Sequence, residues 1–178
     1  MTKTKKLALL AALTAVALTI FVAEAQIPPV VPVPGVKLGL ANIVTLVTMA
    51  LLGRREAGAV LVVRLILGSA FAGGFSGLMF SAAGGAAAYI VMCLLIKVFP
   101  EKLMWVVSVL AALAHNAGQL AVAVWVSGSA SMLYYGTVLA AAGVITGVFT
   151  GFGAMYLTRA AKKLVKRTFR MEVFTIRS

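Results

Sequence analysis

The stretch Pro32-Val-Pro-Gly-Val-Lys-Leu-Gly-Leu-Ala-Asn42 lies between two long apolar runs and resembles neither. It combines stiff prolines with a lysine and an asparagine. Non-helical, polar backbone is tolerated at membrane depth only where protein buries it or a water-filled cavity meets it. The segment therefore predicts a membrane bundle with a pocket at one membrane face, and the proline stretch as the rim or gate of that pocket.

Composition agrees. The 178 residues are 62% hydrophobic and 11% charged, against about 45–50% and about 25% in an average soluble domain. That excess predicts an all-α, polytopic membrane bundle. The net charge of +12 would suggest nucleic acid in a soluble chain. Here the cations gather at span ends and in the tail, which favours a membrane surface. Cys93 is the single cysteine and lies in an apolar run, where a buried core thiol is the expected reading.

Six apolar segments can be drawn, at 7–23, 38–52, 57–80, 82–96, 103–126 and 132–158. The second, at about 15 residues, reaches only about 22 Å as a helix. It is expected to be short, or prolonged by non-helical backbone from the proline stretch. The boundary between the third and fourth is blurred by Gly73, Gly74, Gly77, Gly84 and Gly85. Lys3, Lys5 and Lys6 precede the first segment, and Arg54 and Arg55 follow the second. Lys97 and Lys102 follow the fourth, and Arg159, Lys162, Lys163, Lys166, Arg167 and Arg170 follow the sixth. The remaining connections carry only Lys37. Lysine and arginine mark the cytoplasmic side. The alternation predicts six transmembrane helices with both termini cytoplasmic in the cell membrane. The division is then a six-helix transmembrane domain, 1–158, and a basic cytoplasmic tail, 159–178.

Residues 1–25 also carry a basic start, an apolar stretch and Ala23-Glu-Ala25, the pattern of a cleavable signal. Their apolar stretch of about 17 exceeds the roughly 7–15 of such signals. Cleavage would leave five spans with termini on opposite sides. A retained first span is the favoured reading, with the cleaved form as its alternative.

Small residues are spaced for close helix approach. Gly143, Gly147 and Gly151 form two overlapping GxxxG steps, for which packing inside the bundle is expected. Ala8/Ala12 and Ala11/Ala15 in the first segment suit either internal packing or a partner. The tail mixes Leu164, Val165, Phe169, Met171 and Val173 with its cations. It is read either as lying on anionic lipid or as a topology anchor alone. Trp105, Tyr134 and Tyr135 fit interfacial belts.

The fifth segment holds Ala114-His-Asn-Ala-Gly-Gln119. His115 and Gln119 share a helix face, and Asn116 and Gln119 also approach. Such a group faces the interior or a cavity. It is read as a knot tying helices together or as a ligand site, since a histidine and two amides both donate and accept. Arg64 falls in the inner half of its span. There it snorkels to water, pairs with Glu56, or serves function. Lys37 and Asn42 enter the second span from outside. Lys37 either meets an anionic group on a ligand or marks the interface.

The chain has no aspartate, and its acids are Glu24, Glu56, Glu101 and Glu172. Paired carboxylates that hold Mg²⁺ on a diphosphate are missing, as are a zinc ligand set and a Walker GxxxxGK[ST] motif. Ser-His-Asp chemistry lacks its acid. The expected class is binding and movement rather than catalysis, with no metal and no cofactor.

PVPGVKLGLANIVTL at 32–46, Arg64-Leu-Ile-Leu-Gly68, Phe80-Ser-Ala-Ala-Gly-Gly85 and Ala114-His-Asn-Ala-Gly-Gln119 resemble the heptaprenyl diphosphate synthase component I, or Gx transporter, family. The resemblance covers nearly all of the chain after the first span. The family's name implies a part in making the isoprenoid tail of menaquinone. Its six-span layout is similar to the substrate-binding components of energy-coupling-factor transporters. Those hold a vitamin-like molecule near the outer face and partner a membrane coupling subunit and ATPase subunits. The resemblance implies that Ala8, Ala11, Ala12 and Ala15 contact the coupling subunit. The leading expectation is such a component, with Lys37, Asn42, His115, Asn116 and Gln119 lining an outward pocket and Arg64 as a further member. The alternative is a non-catalytic membrane partner of heptaprenyl diphosphate synthesis, docking a soluble synthase through the basic tail. A third reading is a scaffold with no ligand.

Overall fold

A computed structural model describes residues 3–28, 37–72 and 74–175, with side chains of the last helix described to Lys163. The described residues are 88% helix, and no strand occurs among them. Six α-helices follow in order: α1 Lys3–Glu24, α2 Asn42–Leu51, α3 Arg54–Ala72, α4 Gly74–Leu95, α5 Met104–Ser127 and α6 Gly136–Thr175. Short 3-10 turns, Glu101–Leu103 and Ala130–Tyr135, precede α5 and α6.

Four of these elements are long and apolar enough to cross a membrane: α1, α4, α5 with its leading turn, and α6 from its leading turn to Lys163. The exposure pattern is that of a protein dissolved in lipid. Large apolar side chains such as Ile66, Phe71, Phe75, Leu94, Ile145 and Phe149 point outward. Asn42, Thr45, Thr48, Arg64, Ser81, His115, Asn116, Gln119 and Thr158 are buried. Hydrocarbon rewards this arrangement and water penalises it.

The short second helix sits at the centre. Its 10 residues reach about 15 Å, half of a hydrocarbon core of about 30 Å. It packs against α1, α3, α4 and α6. Asn42, Val44, Thr45, Leu46, Val47, Thr48 and Met49 are all buried. This fits the expectation of a short second span led by non-helical backbone, of which residues 37–41 are described. The prolines at 29, 32 and 34, and with them the rim or gate assigned to the proline stretch, lie outside the described residues.

The third apolar segment was expected to run to residue 80. Instead α3 ends at Ala72, and Gly74 opens α4 with φ +54°. Residues 74–80 belong to α4, giving it 22 residues. Hydropathy does not fall across this break, so only the glycine pair marks it. Glycine reaches positive φ without the Cβ clash that other residues meet.

The glycine stripe of α6 faces α5. A Cβ on Gly147 would come 2.6 Å from the Val109 Cα, and one on Gly151 would come 2.5 Å from the Trp105 Cα. Both are backbone atoms that cannot yield, so internal packing is what these glycines serve. α6 continues through residue 158 to Thr175 as one helix of 40 residues. The expected amphipathic residues of the tail, from Leu164 onward, lie outside the described side chains.

Basic connections share one end of the bundle. Lys6 at the start of α1 bonds Glu56 in the first turn of α3. At the foot of α2, Ala50 borders a cavity of about 140 Å³ with Ile96, Phe99, Glu101, Met104 and Lys162. Glu101 there accepts from Lys162 at 2.5 Å and lies 3.6 Å from Arg159. Those cations, with the Lys162 bond foremost, hold the Glu101 carboxyl below its ordinary range.

Candidate ligand-binding site

The opposite end holds the polar cluster, built from five helices around the start of α2. α1 ends on Glu24, which is buried. Its carboxylate accepts the Gly39 N–H at 2.5 Å on Oε1 and the Leu40 N–H at 3.1 Å on Oε2. These amides would otherwise be unpaired donors ahead of a helix. Glu24 thus ties the end of α1 to the backbone that leads into α2. Gly39 has φ +79°, and a Cβ there would come 2.9 Å from the His115 ring. Glycine is required at this position on both counts.

His115 stands at the centre of the hydrogen bonding, 3% exposed. Its Nδ1 lies 3.2 Å from the Asn42 Nδ2, and its Nε2 lies 3.0 Å from the Gln119 Nε2. Gln119 Oε1 accepts the Lys37 N–H at 3.3 Å. With that oxygen occupied, the Gln119 amide donates to Nε2; the proton of a neutral ring is then on Nδ1, and the Asn42 amide, whose oxygen and nitrogen are interchangeable by a flip, accepts it through its oxygen. Gly84 gives the ring its space, since a Cβ there would come 2.8 Å from Cε1. Gly118, on the same turn of α5, lets α4 approach, where a Cβ would meet the Ala83 carbonyl oxygen at 2.7 Å.

Beside this network lies a small cavity bounded by Phe21, Glu24, Lys37, Gly39, Arg64, Ser81 and His115. Its volume is about 10 Å³, room for about one water molecule. Phe21 is flanked by cations, with the Lys37 Nζ 3.5 Å and the Arg64 Cζ 5.6 Å from its ring centroid. The Arg64 Nε and Nη2, the Lys37 Nζ and the Ser81 Oγ are buried without a hydrogen-bond partner among the described residues.

Of the six residues read from sequence as lining a pocket, Lys37, Arg64 and His115 border this cavity. Asn42 and Gln119 stand one step behind, bonded to His115. Asn116 points elsewhere. Its Nδ2 donates to the Leu139 carbonyl at 2.6 Å, tying α5 to α6. Counting along α3 placed Arg64 in the inner half of its span, yet its guanidinium reaches the Phe21 ring and this cavity. Glu24, Phe21 and Ser81 escaped the sequence reading. Glu24 carried one usable signal, as the one acid on the expected outer side, facing Lys37 across a short connection. Ala8, Ala11, Ala12 and Ala15 are all exposed on α1. The inner face of that helix, with Leu10, Leu13, Ala17 and Ile20, packs toward Val44 and Val60.

Among the described residues, no three His, Cys, Asp or Glu side chains come together as a metal site. Hydrogen bonding and positive charge are what this arrangement offers.

A family model described as heptaprenyl diphosphate synthase component I matches residues 13–157. No curated protein and no solved structure matches the chain.

Proposed function

The chain belongs to the heptaprenyl diphosphate synthase component I family, and from that premise we propose that it is the substrate-binding membrane component of an energy-coupling-factor-type transporter. The carrying observation is the buried, under-partnered polar cluster of Lys37, Arg64, Ser81, Glu24 and His115 at the end opposite the basic connections. Buried polar groups in a bundle cost free energy unless they serve structure or a ligand. Here several have no partner among the described residues. In this reading all six segments cross the cell membrane, the short α2 together with the non-helical backbone that leads into it, the basic end is cytoplasmic and the cluster faces outward. Because the cavity holds about one water, a ligand enters when the segment 37–41 lifts. The described polar ties of that segment to Glu24 and Gln119 are three backbone N–H bonds. The exposed alanines of α1 are the face offered to a membrane coupling subunit, which recruits the ATPase subunits. The chain itself performs no catalysis.

The family's printed name supports a second reading: a non-catalytic membrane partner of heptaprenyl diphosphate synthesis. Gentle affinity purification from native membranes separates the two. Retained coupling and ATPase subunits support transport. A retained soluble, aspartate-rich synthase, with no ATPase, overturns it in favour of the second reading.

A further inference from the structure

The acids of this chain are four, and their positions leave one for the cavity. Glu56 is bonded to Lys6 and Glu101 to Lys162, both at the basic end. Glu172 lies on α6 beyond residue 158. Residues 29–36, Pro-Val-Val-Pro-Val-Pro-Gly-Val, contain no carboxylate. Glu24 is therefore the one carboxylate for two cations, Lys37 and Arg64. Its two oxygens already accept the Gly39 and Leu40 amides, and no ion pair joins it to either cation among the described residues. Arg64 is 2% exposed, with Nε and Nη2 unpartnered. The Lys37 Nζ is likewise buried and unpartnered. Stacking on Phe21 offsets only part of that desolvation. Two buried cations against one committed carboxylate leave an excess of one positive charge, and among the described residues their N–H donors facing the cavity have no acceptor. Ser81 adds a free hydroxyl on the facing helix.

Resting on the reading of this cluster as a ligand site, we propose that the Arg64–Lys37–Ser81 wall recognises an anionic group, a carboxylate or phosphate, at one end of the ligand. The planar guanidinium suits two oxygens of either group. Lys37 acts as a point charge from the segment 37–41, so anion binding and seating of that segment on Glu24 and Gln119 are coupled. Glu24 holds the rim in place and prevents a second anionic charge from entering cheaply, so a singly charged head is favoured.

The test uses the full chain in lipid-depleted detergent. Its thermal unfolding is followed against phosphate, pyrophosphate and acetate, with chloride matched in ionic strength. At least one of the three anions is expected to raise the unfolding temperature saturably where chloride does not. Lys37→Gln and Arg64→Gln are each expected to weaken that response at least about tenfold, the scale of losing one buried charged partner. Glu24→Gln, which keeps an amide acceptor but removes the competing charge, is expected to respond about tenfold more strongly. If Arg64→Gln does not fold, Lys37→Gln and Glu24→Gln carry the comparison with opposite signs. A repeat in nanodiscs with and without phosphatidylglycerol assigns the source. Loss of the phosphate response in the anionic lipid means that a lipid headgroup occupies the same wall. The inference is overturned if all three anions behave as chloride, or if Glu24→Gln and Lys37→Gln shift the response in the same direction. Neither outcome touches the transport reading, which stands or falls on the co-purified subunits.

Discussion

Replacing Glu24 by alanine removes the one carboxylate near the cavity and leaves two buried cations without a counter-charge. The size of the loss follows from the contacts. Two backbone amides, at 2.5 and 3.1 Å, lose a charged acceptor, each such bond contributing about 1.5–3 kcal/mol. Arg64, 2% exposed, loses the one carboxylate that acts on it through space, and stranding a buried charge costs up to about 3–5 kcal/mol. The contributions overlap, because the same oxygens serve both. The expected destabilisation is therefore about 3–5 kcal/mol. At about 2–4 °C per kcal/mol for a chain of this length, the unfolding temperature should fall by about 6–20 °C. Trp105 and Trp125 provide the fluorescence signal for detergent-solubilised protein. Arg64→Met removes the stranded charge while keeping a long apolar stem. The double variant Glu24→Ala/Arg64→Met should recover at least about 1.5 kcal/mol relative to the sum of the singles, within the range of residues that share one network. Additivity within about 0.5 kcal/mol would refute the claim that Glu24 and Arg64 form one electrostatic unit.

Gly151→Ala should cost about 1–3 kcal/mol by overpacking, because its Cβ would meet the Trp105 Cα at 2.5 Å; a thermal melt unchanged within 1 °C would contradict the α5–α6 packing. Replacing Ala8 and Ala12 by leucine should leave the isolated chain within about 0.5 kcal/mol of wild type, as exposed substitutions do, yet abolish co-purification of a coupling subunit; retention of that subunit would remove α1 from the interface. His115→Leu keeps bulk but breaks the links to Asn42 and Gln119, and should cost about 2–4 kcal/mol through the amides left unpaired. Hydrogen exchange at 37–41 should rise in that variant, and unchanged exchange would show that His115 does not hold the rim. Glu101 is held below the ordinary carboxylate range by Lys162 and then Arg159. Its contribution to stability is therefore present above about pH 4.3 and lost as pH falls below that. Glu101→Gln should accordingly melt closer to wild type below pH 4 than at pH 7, and a gap that widens on acidification would refute the pairing.

The helices were legible because lipid makes them so. A bilayer sets the apolar length of each span, and the first, second and fifth segments match observed helices at both ends within four residues. The sixth starts close to α6 but the helix runs on to Thr175, and the third and fourth miss the break at residues 72–74, where both sides are equally apolar and only glycine marks the turn. The glycine stripe of α6 was legible for a similar reason, since close helix approach leaves small residues at fixed spacing. Side-chain direction was not legible. Residue counting locates a Cα, and the long Arg64 side chain carried its charge away from the depth assigned to it. Asn116 lies three residues from Gln119, yet Leu139 and Gly143 on α6 draw its amide toward that helix. Glu24 sits in Ala23-Glu-Ala25, where the pattern of a cleavage site competed with its real partners, two amides 15 and 16 residues further on.

A water-sized cavity is compatible with a ligand site only if the rim opens at a cost that a ligand can repay. The described polar ties of the segment 37–41 set that cost. Two bonds to the Glu24 carboxylate contribute about 1.5–3 kcal/mol each, and the Lys37 amide bond to Gln119 about 0.5–1.5. Opening therefore requires about 3.5–7.5 kcal/mol by these ties alone, so the open form is a minor state. A ligand observed at micromolar affinity, about −8 kcal/mol, must gain that plus the opening cost from its contacts. Apolar contact with Phe21 cannot supply so much. Satisfying the free donors of Arg64 and Lys37 can, because charge-assisted bonds in a site shielded from water are the strongest available. The rim that excludes ligand and the cations that attract it are therefore two sides of one balance, with Glu24 at the pivot. Weakening Glu24 should lower the opening cost and raise the pull on an anion together. A Glu24→Gln chain that binds anions more tightly while exchanging its 37–41 amides faster would show both sides at once.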